Sequence, residues 1–502
     1  RPRVMNPIIG SPGSGEQHRP KVTRMLSSPE TRTPEGAFFG GLALGGFCSG
    51  RYVDKLTNSS FFQKGKTPSY DKRGVVRIYA YLELGIAVSA IFVGIGVSWM
   101  QELFVWLNRY IDYSSIIFDM ARFSFSFLLL LIPTTFMGAT LPVLSKFIIR
   151  HCEKILADIG ALYGINTFGA MLGCFITGFY LIETFGVSIT VYIAIIINTA
   201  IGIAVLLLAR SGLFDASEDE ARSGGGDLGA GIRNNYCRRP PPDPRPPLFD
   251  STYVLLFTFG LSGFTSIAYE IIWTRMLSSI FLNSIYSFTS MLGTFLCGLA
   301  IGAVLTARVF IKSEKSSLKL LGIIEFLIGI SAILLILLFK WLPEVSSRFL
   351  PANNNITWIK NVWVEVSLAF MVMVVPCILI GMTLPLISRV ITKDLKYLGR
   401  SIGNLYSINT LGGILGALIT GGLLIPLTGL KRSELIIAGL NIFIGVIFYF
   451  HAFKDDASKH VRMLYSRKIV IPAFCVSAIV IGGFCSIIDV RIWDRDGKLL
   501  YY

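Results

Sequence analysis

Apolar runs too long for a soluble core set the first constraint on this chain. Positions 320–339, 368–387 and 470–488 are almost entirely apolar. About 18 such residues in an α-helix reach across the hydrocarbon layer of a bilayer. Lipid offers no partner to backbone N–H and C=O groups, so a spanning segment must satisfy them internally, and a helix does so along its own length. Of 502 residues, 53% are hydrophobic and 15% charged, and the mean hydropathy is +0.63. A soluble domain seldom combines so much apolar surface with so few charges. The sequence therefore predicts an all-α, polytopic membrane helix bundle, with the lipid bilayer as its first partner.

Residues 1–36 are polar and rich in Pro, Gly and Ser, with no signal-peptide pattern, and read as a disordered segment. Apolar spans follow near 37–50, 78–99, 119–145, 158–182 and 186–209. Residues 211–250, with Gly224-Gly225-Gly226 and Pro240-Pro241-Pro242, cannot bury a core and read as a flexible linker. Six more spans lie near 252–282, 285–307, 320–341, 363–388, 401–424 and 433–453, and a last one at 469–488. The expectation is about 12 transmembrane helices. It divides the chain into a first membrane unit at 37–210, a second at 251–454 and an extra span with a polar tail at 455–502.

The formal charge of +15 does not point to nucleic acid, because the basic residues sit in short loops between apolar runs. Alternating loops differ sharply. Those at 51–77, 146–157, 210–250, 308–319, 389–400 and 454–468 hold 29 Lys and Arg, against 6 in the loops on the other side. The positive-inside rule places the first set, linker included, in the cytoplasm.

An internal repeat constrains the fold further. Gly138-Ala139-Thr140-Leu141-Pro142 recurs 243 positions on as Gly381-Met382-Thr383-Leu384-Pro385, and Tyr163-Gly164-Ile165-Asn166-Thr167 recurs as Tyr406-Ser407-Ile408-Asn409-Thr410. Between 159–182 and 402–425, 15 of 24 positions are identical. Apolar bias alone does not place Asn, Tyr, Thr, Pro and Gly in one register, so the halves are two copies of one unit. The second copy opens with 263–290, for which 1–36 shows no counterpart; a first helix is expected to be missing or replaced in the first copy.

Small residues recur at helical spacing, as in Gly41 and Gly45, Gly169 and Gly173, Gly298 and Gly302, and Gly412 and Gly416. Such faces let helix backbones approach closely, for static packing or for the sliding contacts of alternating access. Pro133, Pro142, Pro376 and Pro385 each remove a backbone donor and are expected to kink or break their helices. Charges within spans cost several kcal/mol unless paired or wet. That marks Glu270 and Arg275, and the equivalent pair Glu83 and Glu325. Asn166 and Asn409, with Tyr163 and Tyr406 beside them, complete the candidate substrate-binding set. The competing expectation for all eight is interhelical adhesion. No catalytic Ser/His/Asp arrangement or phosphate-binding loop is present. The eight cysteines and four histidines show no metal-ligand spacing.

The segments 263–275 (Gly-Phe-Thr-Ser-Ile-Ala-Tyr-Glu-Ile-Ile-Trp-Thr-Arg), 138–142 and 405–412 resemble the membrane part of fused spermidine synthase-like proteins. In that family a major-facilitator-like region precedes a polyamine aminopropyltransferase domain. The resemblance covers about 37–490, and the tail 493–502 resembles the entry to the synthase domain. It implies a major-facilitator-like fold and, for an intact fusion, a transferase using decarboxylated S-adenosylmethionine. That domain is not in these residues, so no cofactor and no catalytic position carry over. Gly50-Arg51-Tyr52-Val53-Asp54-Lys55 partly resembles the facilitator loop motif. Two functions are expected: a transport-like module for polyamines or other small molecules, or a membrane anchor for a synthase domain.

Overall fold

The computed structural model describes residues 33–59, 72–111, 116–149, 151, 154–211, 251–280, 285–309, 314–349, 358–392, 394–454, 492–493 and 499–501. Of the expected disordered segment 1–36, residues 33–36 are helical and 1–32 lie outside the described residues, as do 212–250 of the linker 211–250 and the span 469–488. The described residues form eleven α-helices. In the first half they are α1 (Thr33–Ser59), α2 (Lys72–Leu107), α3 (Ile116–Ile148), α4 (Ile155–Ile176) and α5 (Ile182–Arg210). The second half holds α6 (Ser251–Ser278), α7 (Ile285–Val309), α8 (Glu314–Phe349), α9 (Trp358–Ile391), α10 (Leu398–Ile419) and α11 (Ile425–Lys454). Near the end, β1 (Ile492–Trp493) and β2 (Leu499–Tyr501) pair antiparallel.

Among the described residues, eight stretches of helix are long and apolar enough to cross a membrane. The chain is a multi-pass integral membrane protein, and its described residues are all-α apart from the small hairpin. The helices extend past the apolar windows because polar ends can project beyond the hydrocarbon while keeping their hydrogen bonds. Thus α8 runs 314–349 where apolarity marks only 320–341.

The repeat is as clear in the backbone as in the sequence. A five-residue π-helical turn follows α4 at Thr177–Leu181 and α10 at Thr420–Leu424, 243 positions apart. Next comes one residue of left-handed φ, Gly186 (φ 76°, ψ 173°) in α5 and Gly429 (φ 78°, ψ 169°) in α11. A side chain there is strongly disfavoured, so glycine is required at both. Within the halves, α1 packs on α3 as α7 packs on α9, and α2 on α5 as α8 on α11. Between the halves, α1 packs on α10 and α4 on α7, which is the same pair seen twice.

The expected breaks at proline are not found: α3 contains Pro133 and Pro142, and α9 contains Pro376 and Pro385, and both are continuous helices. The glycine ladders give the reason. A methyl on Gly41 or Gly45 would overlap Thr134 and Thr135, just after Pro133, and one on Gly298 or Gly302 would overlap Cys377 and Ile378, just after Pro376. The weakened turn is clamped by a neighbouring backbone in each half, as membrane helices with proline require.

The halves differ in burial. Of the most apolar window in 155–210 only 6% is buried, against 44% in 395–449. The difference follows from α6, which packs on α10 and α11. No described helix does the same for α4 and α5.

Candidate functional site

The two halves are joined at one end by a buried polar clasp. Asp54, near the C-terminal end of α1, accepts hydrogen bonds from the backbone of Gly399 (3.1 Å) and Arg400 (2.7 Å) at the N-terminus of α10. Those N–H groups have no intrahelical partner, and a carboxylate there also meets the positive end of the helix dipole. Lys146 of α3 lies 2.8 Å from Asp54, and its ammonium donates to the carbonyls of Leu395 (2.7 Å) and Lys396 (3.0 Å). Asp54 and Lys146 are each about 6% exposed. Arg51 adds a bond to Asn404 at 3.1 Å. The clasp spans the halves, since Asp54 and Lys146 belong to the first and 395–404 to the second.

Beside the clasp the helices meet backbone to backbone. A methyl on Gly50 would overlap the Gly399 carbonyl, and one on Gly403 the Gly46 carbonyl. Ser407 donates to the Ala43 carbonyl at 2.7 Å. On the α4–α7 pair, Gly160 faces Ala303 and Ala307, and Gly164 faces Val304. The two most extensive helix contacts between the halves are therefore lined with small residues.

A second polar cluster is sealed inside the second half. Glu325 of α8 is fully buried; Ser262 of α6 and Asn441 of α11 each donate to one of its oxygens at 2.5 Å. Glu434 of α11 accepts from the Trp273 indole N–H at 2.9 Å. Trp273 stacks on Tyr269, one helical turn away, with centroids 5.0 Å apart. Among the described residues, Glu434 Oε2, Asn441 Oδ1 and the Tyr269 hydroxyl have no hydrogen-bond partner, and no Lys or Arg pairs with either carboxylate. Ser262, Tyr269 and Trp273 follow one face of α6, at spacings of seven and four. Glu434 and Asn441 follow one face of α11 at a spacing of seven.

Of the eight residues expected from sequence, Glu325 is in this cluster. Glu83 is buried in α2 and hydrogen-bonds with Tyr79. Glu270 and Arg275 are half-buried on α6, each with an interaction, and Glu270 lies toward Cys377 of α9. Tyr163 and Tyr406 are brought near each other between the halves. Asn409 sits at the α6–α10 contact, its amide 3.5 Å from the Phe259 carbonyl, whereas Asn166 is exposed. The eight therefore do not form one site. Sequence reading missed Lys146, Ser262, Tyr269, Trp273, Glu434 and Asn441 as site residues. The signal for the last five is periodicity, polar residues seven apart along one face of an apolar helix.

A hollow of about 470 Å³ opens between Phe147, Ile148, His151, Lys154 and Asp158, where α3 gives way to α4. None of the eight lines it. Among the described residues, no group of three or more His, Cys, Asp or Glu could hold a metal.

No protein-family model matches the chain. No curated protein matches it either. Among solved structures it is similar to the human organic anion transporter MFSD10 (TETRAN). The alignment covers 84% of this chain and 100% of that one, at 15% identity and a TM-score of 0.38.

Proposed function

We propose that this chain is a membrane transport unit whose two halves rock against each other on the α1–α10 and α4–α7 pairs, moving small cationic molecules of the polyamine class. The carrying observation is the contact between the halves: two equivalent helix pairs, both lined with small residues, one closed at its end by the Asp54–Lys146 clasp. Backbone contacts without interlocking side chains permit sliding at low cost, and a clasp that opens gives two discrete states. Paired tyrosines between the halves and a half-buried Glu270 supply groups suited to an ammonium. The resemblance to spermidine synthase fusions supports polyamine as the class.

A second reading, a membrane anchor for an aminopropyltransferase domain, is favoured by the tail. The residues that resemble the entry to that domain already pair as strands, Ile492 with Tyr501 and Trp493 with Leu499.

Uptake of labelled spermidine into proteoliposomes tests the choice. Transport requires uptake above that of empty vesicles, reduced in Glu270→Gln. Uptake equal to that of empty vesicles removes the transport reading and leaves the anchor.

A further inference from the structure

The cluster inside the second half holds more negative charge than adhesion between its helices requires, and the repeat shows it. Glu325 and Asn441 tie α8 to α11, and the first half has the same residue types at the matching places, Glu83 on α2 and Asn198 on α5. A Glu and an Asn on these two helices are thus common to both units and suit interhelical hydrogen bonding. Glu434 is not common to both: 243 positions earlier stands Val191. Tyr269 and Trp273 belong to α6, which has no counterpart among the described residues. The second half therefore adds a carboxylate, a phenol and an indole to the Glu and Asn that both halves have.

Hydrogen bonds fix where these additions sit. Trp273 bonds Glu434, so those two are level, and Ser262 and Asn441 both bond Glu325, so those three are level. Along α6, Tyr269 lies between Ser262 and Trp273, and it is within electrostatic reach of both Glu434 and Glu325. Tyr269, Glu325 and Glu434 are fully buried, and Asn441 is 1% exposed. Glu434 Oε2, Asn441 Oδ1 and the Tyr269 hydroxyl, the atoms with no hydrogen-bond partner among the described residues, thus border the space between the two carboxylates.

Buried carboxylates with no paired Lys or Arg call for positive charge. A proton on Glu434 Oε2 would add a donor with no acceptor within hydrogen-bond reach, which is itself costly. A cation coordinated at about 2.4 Å joins oxygens up to about 5 Å apart, beyond that reach. The free atoms are all oxygens, the ligands of hard cations. Glu434, Asn441 and Tyr269 offer one free oxygen apiece, with Glu325 as the second carboxylate. That is short of the roughly six to eight oxygens of a calcium site and fits an alkali cation. The end of the cluster at Glu434 lies five residues past the break at Gly429 and close to the exposed Arg432, which puts it near water.

We propose that the second half binds one sodium-class cation between Glu434 and Glu325, with Tyr269 and Asn441 completing its oxygen ligands. The site lies within one half, apart from the seams, and it holds whether the chain transports or anchors.

Thermal unfolding of the purified full chain in detergent, without any substrate, tests the site. Replacing choline chloride by sodium chloride at equal concentration is expected to raise the midpoint by about 2 °C or more, because a ligand of the folded state stabilises it. Glu434→Gln, and Glu434→Val after the residue in the first half, are expected to lose the rise. Tyr269→Phe removes one ligand and little bulk. It is expected to raise the sodium concentration at half the effect by about fivefold or more, with the midpoint in choline no lower. A merely structural hydroxyl would lower both midpoints equally. No rise in the wild type overturns the proposal, as does a rise with unchanged half-saturation in all three variants, which puts the ion elsewhere. A midpoint that ignores sodium and rises in mild acid means that protons hold the site, and overturns it too.

Discussion

Asp54 shows how far a single residue can be read. The sequence places it in a partial facilitator-type motif and places Lys146 in a basic loop, but nothing in either pattern says that they meet. The pairing depends on α1, α3 and α10 converging, and Lys146 and the 395–396 carbonyls are about 250 positions apart. Breaking a buried ion pair from one side leaves the other charge uncompensated, at about 3–5 kcal/mol. Asp54→Asn is therefore expected to lower the unfolding midpoint clearly, and Asp54→Asn with Lys146→Met to recover much of the loss. Thermal unfolding in detergent measures both; equal midpoints for Asp54→Asn and wild type exclude the clasp. Glu325 was legible because a charge inside an apolar run is costly wherever it sits. Glu434 was not, because Lys431 and Arg432 beside it make the segment look like a loop. Asn166 and Asn409 sit in the same Tyr-x-Ile-Asn-Thr pattern, and α6 lies only on Asn409, which no local pattern encodes.

Among the elements, the helices themselves were plain from apolar length, and their ends were not, since polar turns project past the hydrocarbon without any apolar signal. Two features were read separately that the fold joins. The glycine ladder of α1 and the prolines of α3 look like a packing stripe and a break. In space the stripe clamps the turn after Pro133, and α7 does the same after Pro376, so both helices continue. The interruptions come instead at the π-helical turns and at Gly186 and Gly429. A glycine repeated 243 positions apart was visible; its left-handed φ was not, because glycine also serves close packing. No side chain is tolerated cheaply at φ 78°, ψ 169°. Gly429→Ala is expected to cost about 1–3 kcal/mol, seen as a lower midpoint in thermal unfolding. A midpoint equal to that of wild type contradicts the strained conformation.

For the whole molecule, the duplication carried the most information. It set two halves of like orientation, and the structure adds how they meet: α1 on α10 and α4 on α7, each helix pair the image of the other. The pairing was hidden because contacts between the halves are made by different members of the repeat, and sequence identity links like to like. The proposed rocking needs both glycine-lined seams free to move, so closing one seam covalently is expected to stop it. Arg51 and Asn404 bond across the clasp end of α1–α10. With Arg51→Cys and Asn404→Cys in proteoliposomes, joining the two by a cleavable thiol cross-linker is expected to abolish uptake of labelled spermidine and cleaving the linker to restore it. Undiminished uptake in fully cross-linked protein would contradict the account.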